Sequence, residues 1–250
     1  MSIETKSRLN GRLALLDLCR GIALLAMTVF HFAFDLELFG IKEPGYASQF
    51  HWKYFARSIA SSFLFLTGFS LYLSYLSGLT WPKWGKRFAQ IVLAALLITV
   101  ATYFATPDQF IFFGILHMIA FASLFGLLFL RLPWWLIAAI GMTVFYIGQS
   151  FETVVLDNAI WWWSGLQQAI PVSSDYVPVF PWGSAPLLGI AAAKLAHQSG
   201  WIEKAGQYRF DGKSGKLIQF IGRHSLTYYL LHQPVMIGLI YVVLFITGNI

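Results

Sequence analysis

Four ionisable side chains, Asp17, Arg20, His31 and Asp35, lie within the apolar segment LLDLCRGIALLAMTVFHFAFDLELFG, residues 15–40. An α-helix turns about 100° per residue, so Arg20 and His31, eleven residues apart, share one helical face. Asp35 follows His31 by one turn and lies on that same face. Charged groups are costly in hydrocarbon, so this stripe must face a protein interior or a water-filled cavity.

The pairing of His31 with Asp35 is typical of general-base chemistry. A carboxylate that fixes one imidazole nitrogen leaves the other nitrogen free to take a proton. A buried hydrogen bond with only a structural role is the alternative. Asp17 and Arg20 have the spacing of an i, i+3 ion pair, and for Asp17 that structural role is favoured.

Two further histidines fall inside apolar segments. His117, in FFGILHMIA, is predicted at a depth similar to that of His31. His232, in YYLLHQPVMIG, is predicted nearer the middle of the membrane, just before Pro234. Such histidines suit a catalytic pocket, a proton relay or a metal site, whereas a lone membrane histidine often only makes an interhelical hydrogen bond.

Arg57 lies near the start of the second apolar segment, at a predicted depth close to that of Asp35. An acid and a base that both face protein in a low dielectric are expected to pair, so we predict an ion pair between them. That pair would hold Asp35 ionised and let it orient His31. The alternative is that Arg57 extends to the lipid headgroups while Asp35 faces water.

The composition is that of an integral membrane protein, with 58% hydrophobic and only 11% charged residues. Apolar runs long enough to span a bilayer predict an all-α polytopic bundle of about seven helices in one domain covering residues 1–250. The predicted helices are residues 13–38, 54–77, 88–106, 111–130, 133–149, 179–197 and 224–247.

The chain has a net charge of +6, and its basic residues are distributed unevenly between the two predicted sides of the membrane. Most Lys and Arg residues fall in the N-terminal segment and in the 78–87, 131–133 and 198–223 connections, whereas residues 150–178 contain none. The positive-inside rule then predicts a cytoplasmic N-terminus and a C-terminus outside. The basic residues therefore do not indicate a nucleic-acid partner.

Four stretches carry a resemblance to a known family: LDLCRGIALLAMTVFHFAFDL, FFGILHMIA, VFPWGSAPLLGIA and IGRHSLTYYLLHQPV. They resemble bacterial members of the heparan-α-glucosaminide N-acetyltransferase catalytic-domain family. They are also similar to the acyltransferase-3 proteins of the broader transmembrane acyltransferase superfamily. The resemblance spans nearly the whole chain.

The resemblance implies a multi-pass enzyme of the bacterial inner membrane. It would take an acetyl group from cytoplasmic acetyl-CoA and pass it to a hydroxyl or amine of a sugar or glycan acceptor. The paired Arg and His of the first helix, functional in acyltransferase-3 proteins, correspond to Arg20 and His31. The partners expected are the lipid bilayer, acetyl-CoA and the acceptor, with no metal, and a homo-oligomer is left open.

The residue roles expected on this basis are specific. His31 is the general base and Asp35 orients it, while Arg20 contacts the phosphates or polar arm of CoA. Arg57, His117 and His232 line the acceptor side. Two other functions use the same polar residues: a metal-dependent intramembrane hydrolase, and a proton-coupled transporter, against which the sequence lacks paired repeats.

Overall fold

A computed structural model describes residues 13–248 of the chain. Within this range the chain forms α-helices and short 3-10 turns, and no β-strand, although an isolated bridge joins Thr153 and Gln167. The all-α prediction is confirmed. The helices are α1 (Ala14–Leu38), α2 (Phe50–Leu76), α3 (Trp81–Ala105), α4 (Ile115–Phe125), α5 (Trp134–Ser150), α6 (Val179–Trp182), α7 (Ser184–Gln198), α8 (Trp201–Ala205), α9 (Lys213–Arg223) and α10 (Ser225–Ile246).

Among the described residues, five helical segments are long and apolar enough to cross a membrane: α1, α2, α3, the continuous α6–α7 segment and α10. The protein is therefore a multi-pass membrane protein. α4 and α5 are apolar but shorter, so the predicted count of seven spanning helices and the predicted sidedness stay predictions. The N-terminal segment on which that sidedness partly rests, residues 1–12, lies outside the described residues.

One compact unit is built from residues 13–63 and 208–248, and we call it the terminal unit. Its core joins α1 to the first part of α2 through buried Leu24, Met27 and Ile59. Aromatic rings surround these residues, among them Phe30 of α1 and Tyr228 of α10. Burial of this apolar cluster holds α1, the helix with the polar stripe, against α10.

A close helix contact joins α1 to α9 in the same unit. A side-chain carbon added at Gly222 of α9 would collide with the backbone carbonyl of Asp17, and one added at Gly21 would collide with that of Ile218. Glycine permits the two backbones to approach this closely. The contact places Arg223, the next residue of α9, beside α1.

The helices α8 and α9 fall in the 198–223 segment that the sequence predicts as a loop. α9 is an amphipathic helix of 11 residues, too short and too charged to resemble a membrane span. Its one-sided apolar pattern is the signal that identifies it, because such a helix needs only one face buried.

The second compact unit includes residues 64–207, and we call it the central unit. Buried Ile137 of α5 and Ile190 of α7 lie in its core. Lys194, within the apolar α7, is satisfied by the carbonyls of Leu130 and Leu132, to which its ammonium group donates hydrogen bonds. The single-domain organisation stays a prediction.

Candidate functional site

Polar side chains meet along the contact between α1 and α10. Three pairs follow one another: Thr28 with Tyr228, His31 with His232, and Asp35 with Gln233. Because residue numbers rise together on both helices, α1 and α10 run in the same direction along this contact. We call these six residues the polar seam.

The two histidines of the polar seam are in direct ring contact. The ring centroids of His31 and His232 are 5.0 Å apart and the ring planes are inclined by 69°. His232 also contacts Tyr228. The two rings are parallel, with their centroids 6.1 Å apart. The structure thus brings together two imidazoles that the sequence placed on separate helices.

The hydrogen bond of His232 defines its tautomer. Its Nδ1 lies 2.7 Å from the carbonyl oxygen of Tyr229, and since a carbonyl only accepts, Nδ1 carries the hydrogen. In the neutral imidazole, Nε2 then has a free lone pair. Nε2 is buried and has no hydrogen-bond partner among the described residues. His232 is therefore positioned to accept a proton or a hydrogen bond from a bound molecule.

Asp35 and Gln233 form the next pair. Gln233 Nε2 donates a hydrogen bond of 2.5 Å to Asp35 Oδ1. This assignment of the amide is chemically required while Asp35 is ionised, because a carboxylate only accepts. The remaining oxygens, Asp35 Oδ2 and Gln233 Oε1, are buried and have no hydrogen-bond partner within residues 13–248. Together with His232 Nε2 they make three unsatisfied acceptors on the polar seam.

The predicted hydrogen bond between Asp35 and His31 is wrong. Asp35 uses one oxygen for Gln233, its other oxygen is unpaired, and no residue in the described range forms a hydrogen bond with His31. Both residues lie on one face of α1 as predicted. The neighbouring helix, however, offers Asp35 an amide donor that the spacing on α1 alone does not reveal.

The predicted ion pair between Arg57 and Asp35 is also wrong. Asp35 is fully buried, whereas Arg57 is exposed and its guanidinium lies over the ring of Tyr54, 5.7 Å from the centroid. The alternative, in which Arg57 extends to the lipid headgroups while Asp35 faces water, is not met either, because Asp35 is 0% exposed. An exposed cation over an aromatic face keeps its solvation, which pairing with a buried acid would remove.

Arg20 lies near the start of α1 in a group of charged residues. Its Nη1 is 3.2 Å from Asp17 Oδ1, and Arg223 Nε is 3.3 Å from Asp17 Oδ2. Asp17 is almost completely buried, whereas the Arg223 side chain is 51% exposed. Eleven helical residues separate Arg20 from His31, which corresponds to about 16 Å along the axis. The predicted structural role of Asp17 agrees with these contacts.

His117 belongs to the central unit and has both ring nitrogens occupied. The backbone N–H of Gly114 donates to Nδ1 at 3.2 Å, so Nε2 carries the hydrogen and donates to Thr99 Oγ1 at 3.1 Å. The Thr99 hydroxyl then donates to the carbonyl of Ile111 at 2.7 Å. These bonds satisfy a free backbone N–H at the start of α4, which is the function of a helix cap.

Asp175, in the loop before α6, provides a second cap for the same helix. Its Oδ2 accepts a hydrogen bond of 2.8 Å from the backbone N–H of Ile115. Burial raises the pKa of the Asp175 carboxyl to about 6, and the bond from Ile115 lowers it by less. This residue joins the 151–178 segment to the start of α4.

One family model matches residues 12–234, most of the chain, and its description is heparan-alpha-glucosaminide N-acetyltransferase, catalytic. The chain belongs to this family. The resemblance inferred from the sequence is confirmed, and the protein is a member of a family of membrane acetyltransferases. No curated protein and no solved structure gives a match.

The matched range of the heparan-α-glucosaminide N-acetyltransferase family includes every residue of the polar seam and the charged group around Asp17. Of the residues expected at the site, His31, His232 and Asp35 meet on the seam, and Arg20 lies on the same helix. Within residues 13–248, no three His, Cys, Asp or Glu side chains are grouped to hold a metal ion.

Sequence reasoning missed Gln233 and Arg223. Gln233 directly follows His232, and a polar amide inside an apolar helix next to a histidine is a usable signal, because it needs a partner there. Arg223 lies in the stretch IGRHSLTYYLLHQPV but reads as an ordinary basic loop residue. Its position against Asp17 depends on the glycine contact between α9 and α1.

Proposed function

We propose that the protein transfers an acetyl group from acetyl-CoA to a hydroxyl or amine of a sugar-type acceptor, and that the polar seam is the site of transfer. One observation carries this proposal: the buried, unpartnered Nε2 of His232 beside the ring of His31. A nucleophilic hydroxyl or amine is a hydrogen-bond donor, and His232 Nε2 is an unsatisfied acceptor that can receive its hydrogen. Family membership supports the acetyl-transfer chemistry.

His232 takes the proton in this proposal. As the acceptor oxygen or nitrogen attacks the thioester carbonyl carbon, its hydrogen passes to His232 Nε2. The tetrahedral intermediate collapses with loss of the CoA thiolate, which takes that proton and leaves as the free thiol. The Tyr229 carbonyl, by holding the opposite ring nitrogen as a donor, keeps Nε2 in the basic form.

His31 acts in this proposal as a hydrogen-bond donor to the reacting group, not as the base. The base assignment of His31 rested on orientation by Asp35, and that bond is not formed. A neutral imidazole always has one N–H, and no residue in the described range accepts it. We assign this N–H to the thioester carbonyl oxygen, where a hydrogen-bond donor stabilises the negative charge that develops during attack.

The donor binds with its phosphates at the Arg20 and Arg223 guanidinium groups. Guanidinium is suited to phosphate because its planar array of donors fits two oxygens at once. CoA carries its phosphates and its thiol at opposite ends of an extended molecule, and about 16 Å separates Arg20 from His31 along α1. A donor extended along α1 would thus present its thioester to the histidine pair.

The proposed orientation in the membrane places the donor and the acceptor on opposite sides. With the basic N-terminal segment and the basic 198–223 segment in the cytoplasm of a bacterium, Arg20 and Arg223 lie toward the compartment that contains acetyl-CoA. The acceptor then approaches the outer half of α1. Arg57 and His117 have no part in the chemistry, since the first lies over Tyr54 and the second caps α4.

The experiment uses the full chain purified into lipid nanodiscs. Calorimetry measures binding of acetyl-CoA against desacetyl CoA, and a radiolabelled acetyl group is then followed into glucosamine, N-acetylglucosamine or glucose. We expect acetyl-CoA to bind and label to appear in at least one sugar, with loss of transfer in His232→Ala. Failure of acetyl-CoA to bind at millimolar concentration overturns the proposal.

A further inference from the structure

We infer that Asp35 and Gln233 form a recognition site for a protonated amine of the acceptor, separate from the group that is acetylated. We call this pair the acid–amide clamp. The inference rests on the proposed function for its placement within an acceptor site. It adds a chemical requirement on the acceptor, namely a cationic hydrogen-bond donor near the nucleophile.

The unsatisfied atoms of the clamp specify a donor. Asp35 is 0% exposed, and its Oδ2 and the Oε1 of Gln233 are buried acceptors without a partner. The two side chains are joined by their 2.5 Å hydrogen bond, so the two free acceptors come from one fixed unit. A ligand group with more than one N–H hydrogen has a donor for each of these acceptors, and an ammonium group carries three such hydrogens.

Charge selects a cation over a neutral donor. No ion pair to Asp35 is formed within residues 13–248. Two basic residues that follow α1 in the chain contact aromatic rings instead, with Lys42 over the ring of Tyr46 and Arg57 over that of Tyr54. A buried carboxylate without a counter-charge is strongly unfavourable, and a bound ammonium group removes that penalty.

The acid–amide clamp lies away from the histidine pair at which transfer occurs, so it would contact a different part of the acceptor. Asp35 follows His31 by four residues on α1, which places it about 6 Å further along the helix axis. The nucleophile occupies the His31–His232 pair. The amine would then lie one helical turn beyond it, toward the end of α1 at Leu38.

Glu37 supplies a matched control on the same helix turn. Its two carboxylate oxygens accept hydrogen bonds from the backbone N–H groups of Gly45 and Ala47, at 2.7 and 2.8 Å. It therefore has the same charge as Asp35 but no unsatisfied acceptor. A substitution of Glu37 by Gln changes the local charge without changing the clamp.

The test is direct binding and does not require turnover. Three five-carbon probes are titrated calorimetrically into the full chain in nanodiscs: 5-amino-1-pentanol, 1,5-pentanediol, and the trimethylammonium analogue of the amino alcohol. We expect the amino alcohol to bind at least about tenfold more tightly than either other probe, because only it combines charge with N–H donors. Asp35→Asn should abolish the preference, Gln233→Leu should weaken it, and Glu37→Gln should keep it.

Equal binding of the diol and the amino alcohol, or an unchanged preference in Asp35→Asn, overturns the clamp. The helical circular dichroism and the size-exclusion profile of each variant serve as the check of folding. The outcomes separate the two proposals: amine preference without acetyl transfer leaves the clamp standing and removes the proposed function, whereas transfer without amine preference does the reverse.

Discussion

Two histidines, half-buried His117 in the central unit and buried His232 in the terminal unit, differ in how many ring nitrogens are satisfied. His117 uses both, accepting from the Gly114 backbone and donating to Thr99. His232 uses only Nδ1, and its Nε2 is buried with no partner. The first arrangement is complete within the protein, and the second is complete only when another molecule supplies a donor.

Under the proposed function, this difference in hydrogen-bond partners assigns a structural role to His117 and the role of base to His232. Both residues lie in short apolar segments, FFGILHMIA and YYLLHQPVMIG. Neither segment indicates which groups contact the imidazole ring. An unsatisfied buried polar atom is unfavourable for folding, so its presence points to a role beyond folding.

The largest effect is expected from His232→Ala. Loss of a general base lowers the transfer rate by about 10²–10⁴-fold, while acetyl-CoA binding stays unchanged because the imidazole acts on the chemical step. Rates measured with saturating donor in nanodiscs check this. A His232→Ala protein that binds donor and transfers at the normal rate would remove His232 from the mechanism.

A smaller effect is expected at the donor-binding arginines. Arg223→Ala should raise the KM for acetyl-CoA by about tenfold with little change in kcat, since a phosphate contact is kept through the reaction. Arg20→Lys should also weaken binding, because an ammonium group lacks the planar fork. The matched control is Arg209→Ala, a basic residue of the same connection. An equal rise in KM in that control would indicate general surface electrostatics.

For His117 the comparison predicts a loss of stability instead of activity. His117→Ala removes two hydrogen bonds and leaves the Gly114 N–H unsatisfied, so the free energy of unfolding should fall by about 1–3 kcal/mol. Denaturant unfolding in mixed micelles measures this, with the exposed His51→Ala as control. A normal stability with a large loss of kcat would reverse the roles given to the two histidines.

The smallest expected effect concerns the acid that caps α4. The pKa of Asp175 is raised by burial to about 6, so its protonated form is favoured in the folded protein, and the associated stability is complete at low pH. That stability is lost as pH rises through 6, by on the order of 1 kcal/mol. Asp175→Asn should remove this part of the pH dependence. An unchanged slope between pH 4 and 7 would contradict the assignment.

Sequence alone predicted the apolar helices and the stripe on α1, because hydropathy and the 3.6-residue period depend only on the order of residues along one helix. It did not predict that Gln233 would bind Asp35 or that Arg57 would lie over Tyr54. Those partners depend on how each neighbouring helix is rotated about its axis, which an almost uniformly apolar sequence does not specify.

The central claim is that His232 accepts the proton while His31 donates a hydrogen bond, and paired Ala and Gln substitutions at both positions test it most directly. The measurement is the single-turnover rate of acetyl transfer from labelled acetyl-CoA in nanodiscs. Glutamine retains an N–H donor but is not a base, so His31→Gln should be about tenfold faster than His31→Ala. His232→Gln should be as slow as His232→Ala. Recovery by Gln at position 232, with none at position 31, would contradict the account.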